Sequence, residues 1–272
     1  MNFYPMNLSI SNIAWANADR KRVADVLASE NVKFIDVAPL LLVKSLNDYS
    51  EQELNKVIKF WNEKGVSFSG MQSLFYELKN IKFFESEKSF KLSVDYFKKI
   101  ALFSTKVNVD KLVFGCPKQR SFDKDRVSIE IVRSFFNQIA SICEDYELDL
   151  CIEPNAKEYG CNFLNTTEEA VLFVKTIDSD RAKINFDTGA VIMSGKDPAE
   201  EFVKYADFIG HIHISRPMLR PVDTKFMDHK NLSEKIKNMG YNKGIAIEML
   251  CGKEDHPYEC LRKAIQVLKL YE

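Results

Sequence analysis

The sequence predicts an α/β protein of the (β/α)8 barrel class, on three observations. Short β-rich runs alternate with longer amphipathic segments along the whole chain, the runs number eight, and no G-x-G-x-x-G turn follows the first of them. Eight strands alternating with eight helices in 272 residues is the arithmetic of one barrel domain spanning 1–272. A doubly wound open sheet, the competing layout, usually has fewer strands at this length.

The strand runs are Leu8–Trp15 (LSISNIAW), Val32–Pro39 (VKFIDVAP), Val66–Ser73 (VSFSGMQS), Lys111–Pro117 (KLVFGCP), Leu148–Asn155 (LDLCIEPN), Lys183–Ala190 (KINFDTGA), Phe208–Ser215 (FIGHIHIS) and Gly244–Leu250 (GIAIEML). Helix-length segments separate them. In Ser50–Gly65, Leu54, Val57, Ile58 and Trp61 fall on one helical face, Ser50 is placed to cap the N-terminus, and Glu53 takes the capping-box position. Thr166–Ile177 repeats the cap pattern, and Asp197–Ala206 carries Pro198 in its first turn. The long interruption QSLFYELKNIKFFESEK reads as a loop with a short helix.

Composition narrows the partners. Hydrophobic residues make up 46% of the chain, enough for a large core, and 38 basic against 39 acidic residues give a formal charge of −1. A nucleic-acid binder would show a basic stripe, so none is expected as a partner. The six cysteines form no C-x-x-C pair and read as buried thiols rather than disulfides. The N-terminal MNFYPMNLSISNIAW lacks a charged region followed by an apolar run, and no segment reaches membrane-spanning length. The expected location is cytoplasmic, with no membrane partner.

A barrel of this kind places its active site at the C-terminal ends of its strands. There Glu153, Asp187, His213 and Glu248 end or nearly end the fifth to eighth runs, bringing three carboxylates and an imidazole to similar height. Carboxylates packed so closely repel by several kcal/mol at reduced dielectric. Protonation, Lys or Arg, or a divalent cation must neutralise them. The set suits one ion of intermediate hardness, Mn2+, Co2+ or Mg2+, with Zn2+ as an alternative. Each residue alone reads as a loop anchor; four on consecutive strands read as a metal site.

These motifs, IEPN with Glu153, DTGA with Asp187, HIHIS with His213 and IEM with Glu248, resemble the xylose isomerase-like TIM-barrel superfamily of sugar (phosphate) isomerases and epimerases. GMQSLF and FGCPKQR in the first half resemble a bacterial branch of the same group. The resemblance implies that the four matching residues hold one divalent metal, and that Glu153 and Glu248 also act as the acid–base pair. Such a pair removes a proton next to a carbonyl and returns it from the opposite face, through an enediolate that the metal stabilises. A small carbohydrate substrate is implied, and so are dimers or tetramers, though no surface feature decides assembly.

The chain also departs from the ketose 3-epimerases of that group. They carry a histidine three residues after the metal-binding aspartate, a substrate-binding glutamate six after the first metal glutamate, and an arginine six after the ligand histidine. Here Ala190, Tyr159 and Leu219 stand at those positions. The substrate-binding candidates are therefore drawn from elsewhere. Lys118 and Arg120 follow the fourth strand, and Arg216 and Arg220 the seventh. They would suit a phosphate or carboxylate on the substrate, unless they form solvated loops. Tyr159 reads as a hydrogen-bonding partner for a sugar hydroxyl or as loop packing, and His229 as a site residue on a folded-over loop or a surface histidine. His211 faces the same interior as His213. Two residues along a strand span about 6.6–6.8 Å, against about 2 Å for a metal–imidazole bond, so His213 is the expected ligand. His211, one layer deeper, is expected to support the site or fill core. Trp15 or Phe75 is placed to wall the pocket.

Two other activities suit the same barrel. A metal-dependent lyase, dehydratase or hydrolase would use the same stabilisation. An endonuclease IV-like phosphodiesterase needs a histidine-rich metal cluster and a basic surface, and the four histidines, Ala190 and the charge balance count against it.

Overall fold

Eight parallel strands pair in sequence order and the eighth closes on the first. They are β1 (Asn7–Ser11), β2 (Phe34–Val37), β3 (Ser67–Met71), β4 (Lys111–Phe114), β5 (Asp149–Ile152), β6 (Ala182–Asp187), β7 (Ile209–Ser215) and β8 (Gly244–Glu248). The helices between and after them are α1 (Arg20–Ser29), α2 (Glu51–Glu63), α3 (Glu87–Lys106), α4 (Ile129–Asp145), α5 (Thr167–Val174), α6 (Thr188–Met193), α7 (Pro198–Tyr205), α8 (His229–Asn238) and α9 (Pro257–Leu268). This computed structural model describes residues 6–16, 18–251 and 256–272. Residues 1–5, part of the stretch read as lacking an export signal, lie outside the described residues. No described helix is long and apolar enough to cross a membrane.

The caps form as their side chains dictate. The Ser50 hydroxyl accepts from the Glu53 amide, Thr166 from Glu169, and Asp197 from Ala199 and Glu200. Every strand is shorter than the run that predicts it, and two end for reasons visible in their caps. β1 stops at Ser11, whose hydroxyl caps a 3-10 turn over Asn12–Trp15. Trp15 packs on Trp61 behind the barrel, their ring centroids 6.5 Å apart, and does not wall the cavity. β6 ends at Asp187, because its carboxylate accepts from the Ala190 amide at 2.6 Å and starts α6 at once. Cys116, Cys143, Cys151 and Cys161 carry thiols, and burial pushes the last-but-one, Cys151, well above the ordinary thiol range.

Apolar and polar residues are sorted radially. Outward positions of the strands meet the helices through apolar side chains, densest where phenylalanines of α3, α4 and the β3–α3 loop crowd around Phe114 of β4. There Phe83 stacks on Phe135 at 5.3 Å, and Phe114 meets Phe136 edge-on at 5.1 Å. The lumen, by contrast, is polar: Ser9, Asp36, Ser69, Asn185, His211 and His213 are all buried. Branched aliphatics usually fill that space in barrels of this type.

Candidate active site

Strand register brings the four strand-end residues together. Asp187 pairs directly with His213, and Glu248 pairs with Ser215, the next inward position after His213. Glu153 follows the last residue of β5. One ligand atom from each of Glu153, Asp187, His213 and Glu248 lies within 4.8 Å of all the others. Ligand atoms on opposite sides of one ion stand about 4–5 Å apart. The donor set therefore fits a single divalent cation in size as well as chemistry.

Each donor is held by its neighbours. Glu153 accepts from Asn155 Nδ2 at 2.8 Å and Asn185 Nδ2 at 2.7 Å, while His213 Nδ1 sits 3.1 Å from its Oε1. The same His213 nitrogen lies 3.3 Å from Glu248 Oε2. The Ser215 hydroxyl donates to Asp187 Oδ2 at 2.6 Å and accepts from the Gly189 amide. Gly115 keeps the wall clear, since a Cβ there would stand 2.7 Å from Glu153 Oε2.

The charges are unbalanced. Burial, then repulsion from Glu153 and Glu248, pushes the Asp187 carboxyl up to about 7. Burial would also raise Glu153, but bonds from His213, Asn155 and Asn185 outweigh it and hold that carboxyl below its ordinary value. His213 loses solvation, yet Glu248 and Glu153 raise it well above an ordinary histidine. A cation bound among the donors would relieve the repulsion that Asp187 registers.

Beneath this layer lies a second polar group. Asp36 accepts from Ser9 at 2.7 Å and Ser69 at 2.5 Å, and pairs with His211 Nε2 across the lumen at 2.7 Å. Gly70 and Gly244 make room, because a Cβ at either would meet Asp36 Oδ2 at 2.4 Å or His211 Nδ1 at 2.6 Å. Asp36, Asn185 and Ser215 were not singled out from the sequence. A readable signal existed: each sits on an inward strand position, and Asn185 and Ser215 stand two residues from a ligand.

A cavity of about 240 Å³ opens onto Glu153, Asp187 and Glu248, below the ~300–1,000 Å³ of pockets for drug-sized ligands. Phe75, Tyr159, Ala190 and Leu219 line it. Tyr159 Oη accepts from the Met218 amide at 2.8 Å. Met218 and Leu219 both adopt left-handed backbone, with φ of 63° and 52°, a conformation that costs about 1–3 kcal/mol at a non-glycine residue. They are held by the Tyr159 bond and by the Leu250 amide donating to the Leu219 carbonyl at 2.8 Å.

The remaining candidates lie elsewhere. Arg120 is fully buried, and its guanidinium donates to the carbonyls of Glu153 at 2.7 Å and Leu164 at 3.1 Å. It braces the loop that carries Glu153 and is not placed to bind an anion. His211 is likewise sealed in the lumen and spent on Asp36, away from any substrate. His229 is buried in α8 between Tyr271 Oη and the Asp223 carbonyl, neither on the surface nor in the cavity. Lys118 is exposed and borders Gly160 outside the cavity. Arg216 pairs with Asp223 at 3.2 Å, and neither it nor Arg220 lines the cavity.

Residues 24–271 match the protein family described as xylose isomerase-like TIM barrel. A 75-residue stretch is 33% identical to an inosose dehydratase of Lacticaseibacillus casei, covering 28% of this chain and 25% of that one. Among solved structures, a D-psicose 3-epimerase of Clostridium cellulolyticum H10, crystallised with D-tagatose, superposes with a TM-score of 0.75 at 16% identity over 98% of this chain and 96% of that one. A 3-keto-D-glucoside 4-epimerase of E. coli gives a TM-score of 0.77 at 15% identity, over 97% and 99%. A probable 3-DHS dehydratase of Bacillus anthracis gives 0.72 at 12%, also over 97% and 99%. At these identities the structural likeness establishes the fold alone.

Proposed function

Because this chain belongs to the xylose isomerase-like TIM-barrel family, we propose that it is a divalent-metal-dependent isomerase or epimerase of a sugar or sugar derivative. One observation carries the reading: two glutamates, Glu153 and Glu248, flank the same edge of His213 at 3.1 and 3.3 Å and both open onto the cavity. A pure binding site has no use for two such carboxylates. Manganese, cobalt or magnesium suits three carboxylates and one imidazole, with zinc as an alternative.

A bound metal would supply positive charge beside the substrate oxygen that becomes negative as the neighbouring C–H loses its proton. The proton itself is moved by the protein. A carboxylate oxygen of Glu153 or Glu248 takes it, and the other glutamate returns a proton, giving an inverted centre or a shifted carbonyl. Asn155 and Asn185 hold Glu153 in place for this, and Ser215 holds Asp187.

The 75-residue similarity to inosose dehydratases favours elimination as the second reading. A panel of sugars, sugar phosphates and keto-polyols, incubated in deuterated water and followed by NMR, separates the two. Deuterium entering carbon with no loss of water supports isomerisation, while loss of water supports elimination. Metal analysis of the purified protein beside Glu153→Gln and Glu248→Gln tests the site itself. A wild-type protein that holds no divalent ion under any loading condition would refute the proposal.

A further inference from the structure

We infer that a groove walled by the loop after β7 and by α9 binds the phosphate group of a small metabolite, at a site separate from the metal-donor cavity. The inference goes beyond the isomerase reading and does not rest on it.

Four cations from three stretches of chain line this groove: Arg216 at the end of β7, Arg220 and Lys225 along the loop, and Lys263 on α9. One carboxylate lines it with them, Asp223, and it is spent on Arg216 at 3.2 Å and on the Lys225 amide at 2.8 Å. Among the described residues, the side chains of Arg220, Lys225 and Lys263 have no ion-pair partner. Their neighbours on α9 show the contrast, since Arg262 and Lys269 both reach Glu30 at 2.8 Å. In a chain whose 38 basic and 39 acidic residues nearly cancel, grouped cations without carboxylates repel one another until an anion joins them.

The frame that carries them is fixed from beneath. Val222 is buried, and so is His229, whose Nε2 donates to the Asp223 carbonyl at 3.0 Å while its Nδ1 accepts from Tyr271 Oη at 2.9 Å. The loop backbone is therefore in place before a ligand arrives, and binding has only side chains to order.

The chemistry of the lining selects the ligand. Two guanidinium forks match paired phosphate oxygens, and two ammonium groups add point charges. A volume of about 570 Å³ suits a small molecule, whereas an extended polyanion needs a basic stripe. The groove and the catalytic cavity share no lining residue, although Arg220 directly follows Leu219. Among the described residues, every charged group in the cavity is a carboxylate, Glu153, Asp187 or Glu248, so an anion is drawn to the groove instead.

The test uses full-length, magnesium-loaded protein at low salt, with inorganic phosphate as the probe and calorimetry as the readout. Wild type is expected to bind phosphate more tightly than about 1 mM, and to lose affinity as added salt screens these exposed charges. Arg220→Met and Lys263→Met each remove one charged hydrogen bond and should weaken phosphate about tenfold. Circular dichroism and Mg2+ binding should stay unchanged in both, since both side chains are exposed. Glu248→Gln, in the catalytic cavity, should leave phosphate affinity as it is. An affinity weaker than about 1 mM, or one that neither groove substitution moves, overturns the inference. So does phosphate binding that Glu248→Gln alters, which would put the anion beside the metal donors. A single-stranded oligonucleotide that binds with a salt slope of about −3 or steeper, hence through four or more phosphates, would assign the groove to a polyanion and overturn it too. The isomerase reading stands or falls separately, on the metal and exchange measurements above.

Discussion

Replacing Arg120 with methionine separates a brace from an anion site. Methionine keeps most of the buried apolar volume and removes the guanidinium, stranding the carbonyls of Glu153 and Leu164 that it now serves at 2.7 and 3.1 Å. The contact to Phe114 O at 3.4 Å is too long to weigh much, and Cys161 Sγ, 3.3 Å from Nε, is a weak acceptor. Two charge-assisted bonds contribute about 3–6 kcal/mol, and relief from keeping a buried cation desolvated offsets part of it. A net loss of about 3 kcal/mol corresponds to a Tm lowered by about 6–12 °C at this chain length. Scanning calorimetry of Arg120→Met beside wild type measures it, and titration with Mn2+ should show weakened metal binding, because the stranded Glu153 carbonyl belongs to a ligand. A Tm within 2 °C of wild type, with phosphate binding abolished, would refute the brace and restore Arg120 as an anion ligand.

Other perturbations probe the site and the fold separately. Ser215→Ala removes the hydroxyl that fixes Asp187 and should weaken Mn2+ binding about 10–100-fold by calorimetry, with circular dichroism unchanged. Gly115→Ala puts a methyl 2.7 Å from Glu153 Oε2 and forces that carboxylate to move, so metal binding and exchange activity should both fall while the Tm changes by less than about 5 °C. His229 is held below an ordinary histidine, mainly by burial. Its contribution to stability is therefore complete above the unfolded value near 6.5 and is lost as pH falls below it. Wild type should lose more Tm between pH 7.5 and 5 than His229→Gln does; equal losses would show that His229 is not the group responsible.

The barrel and its four strand-end donors were legible because both follow from short-range periodicity. A period of two assigns side chains to a face, and a strand boundary assigns them a height, which sufficed to group Glu153, Asp187, His213 and Glu248. The cations were not legible, because their directions depend on backbone turns that no pattern announces. Cys116 adopts a left-handed φ of 51°, and the Arg120 amide returns to its carbonyl at 3.1 Å. That reversal leaves Gln119 lining the cavity while Arg120 passes beneath the β5 loop. His229 was misplaced for a similar reason: Asp228 caps α8 and carries the histidine inward against Tyr271, near the far end of the chain. Asp36 had its inward strand position as its one signal, and a single carboxylate in an apolar strand has no neighbour in sequence to give that position meaning; Ser9, Ser69 and His211 meet it only once the sheet closes.

The polar lumen inside an aromatic jacket also bears on how such a chain can change over time. The residues that keep the cylinder folded, Phe83, Phe114, Phe135 and their neighbours, face away from the axis, while the grouped carboxylates and imidazole of the candidate site face it. Substitutions in the lumen can therefore alter a donor or an acceptor without disturbing the packing that holds the barrel together. Selection on substrate and selection on folding act on separate sets of positions, so a lineage can test new reactions at Gln72, Tyr159, Ala190 or Leu219 while its scaffold stays as it was.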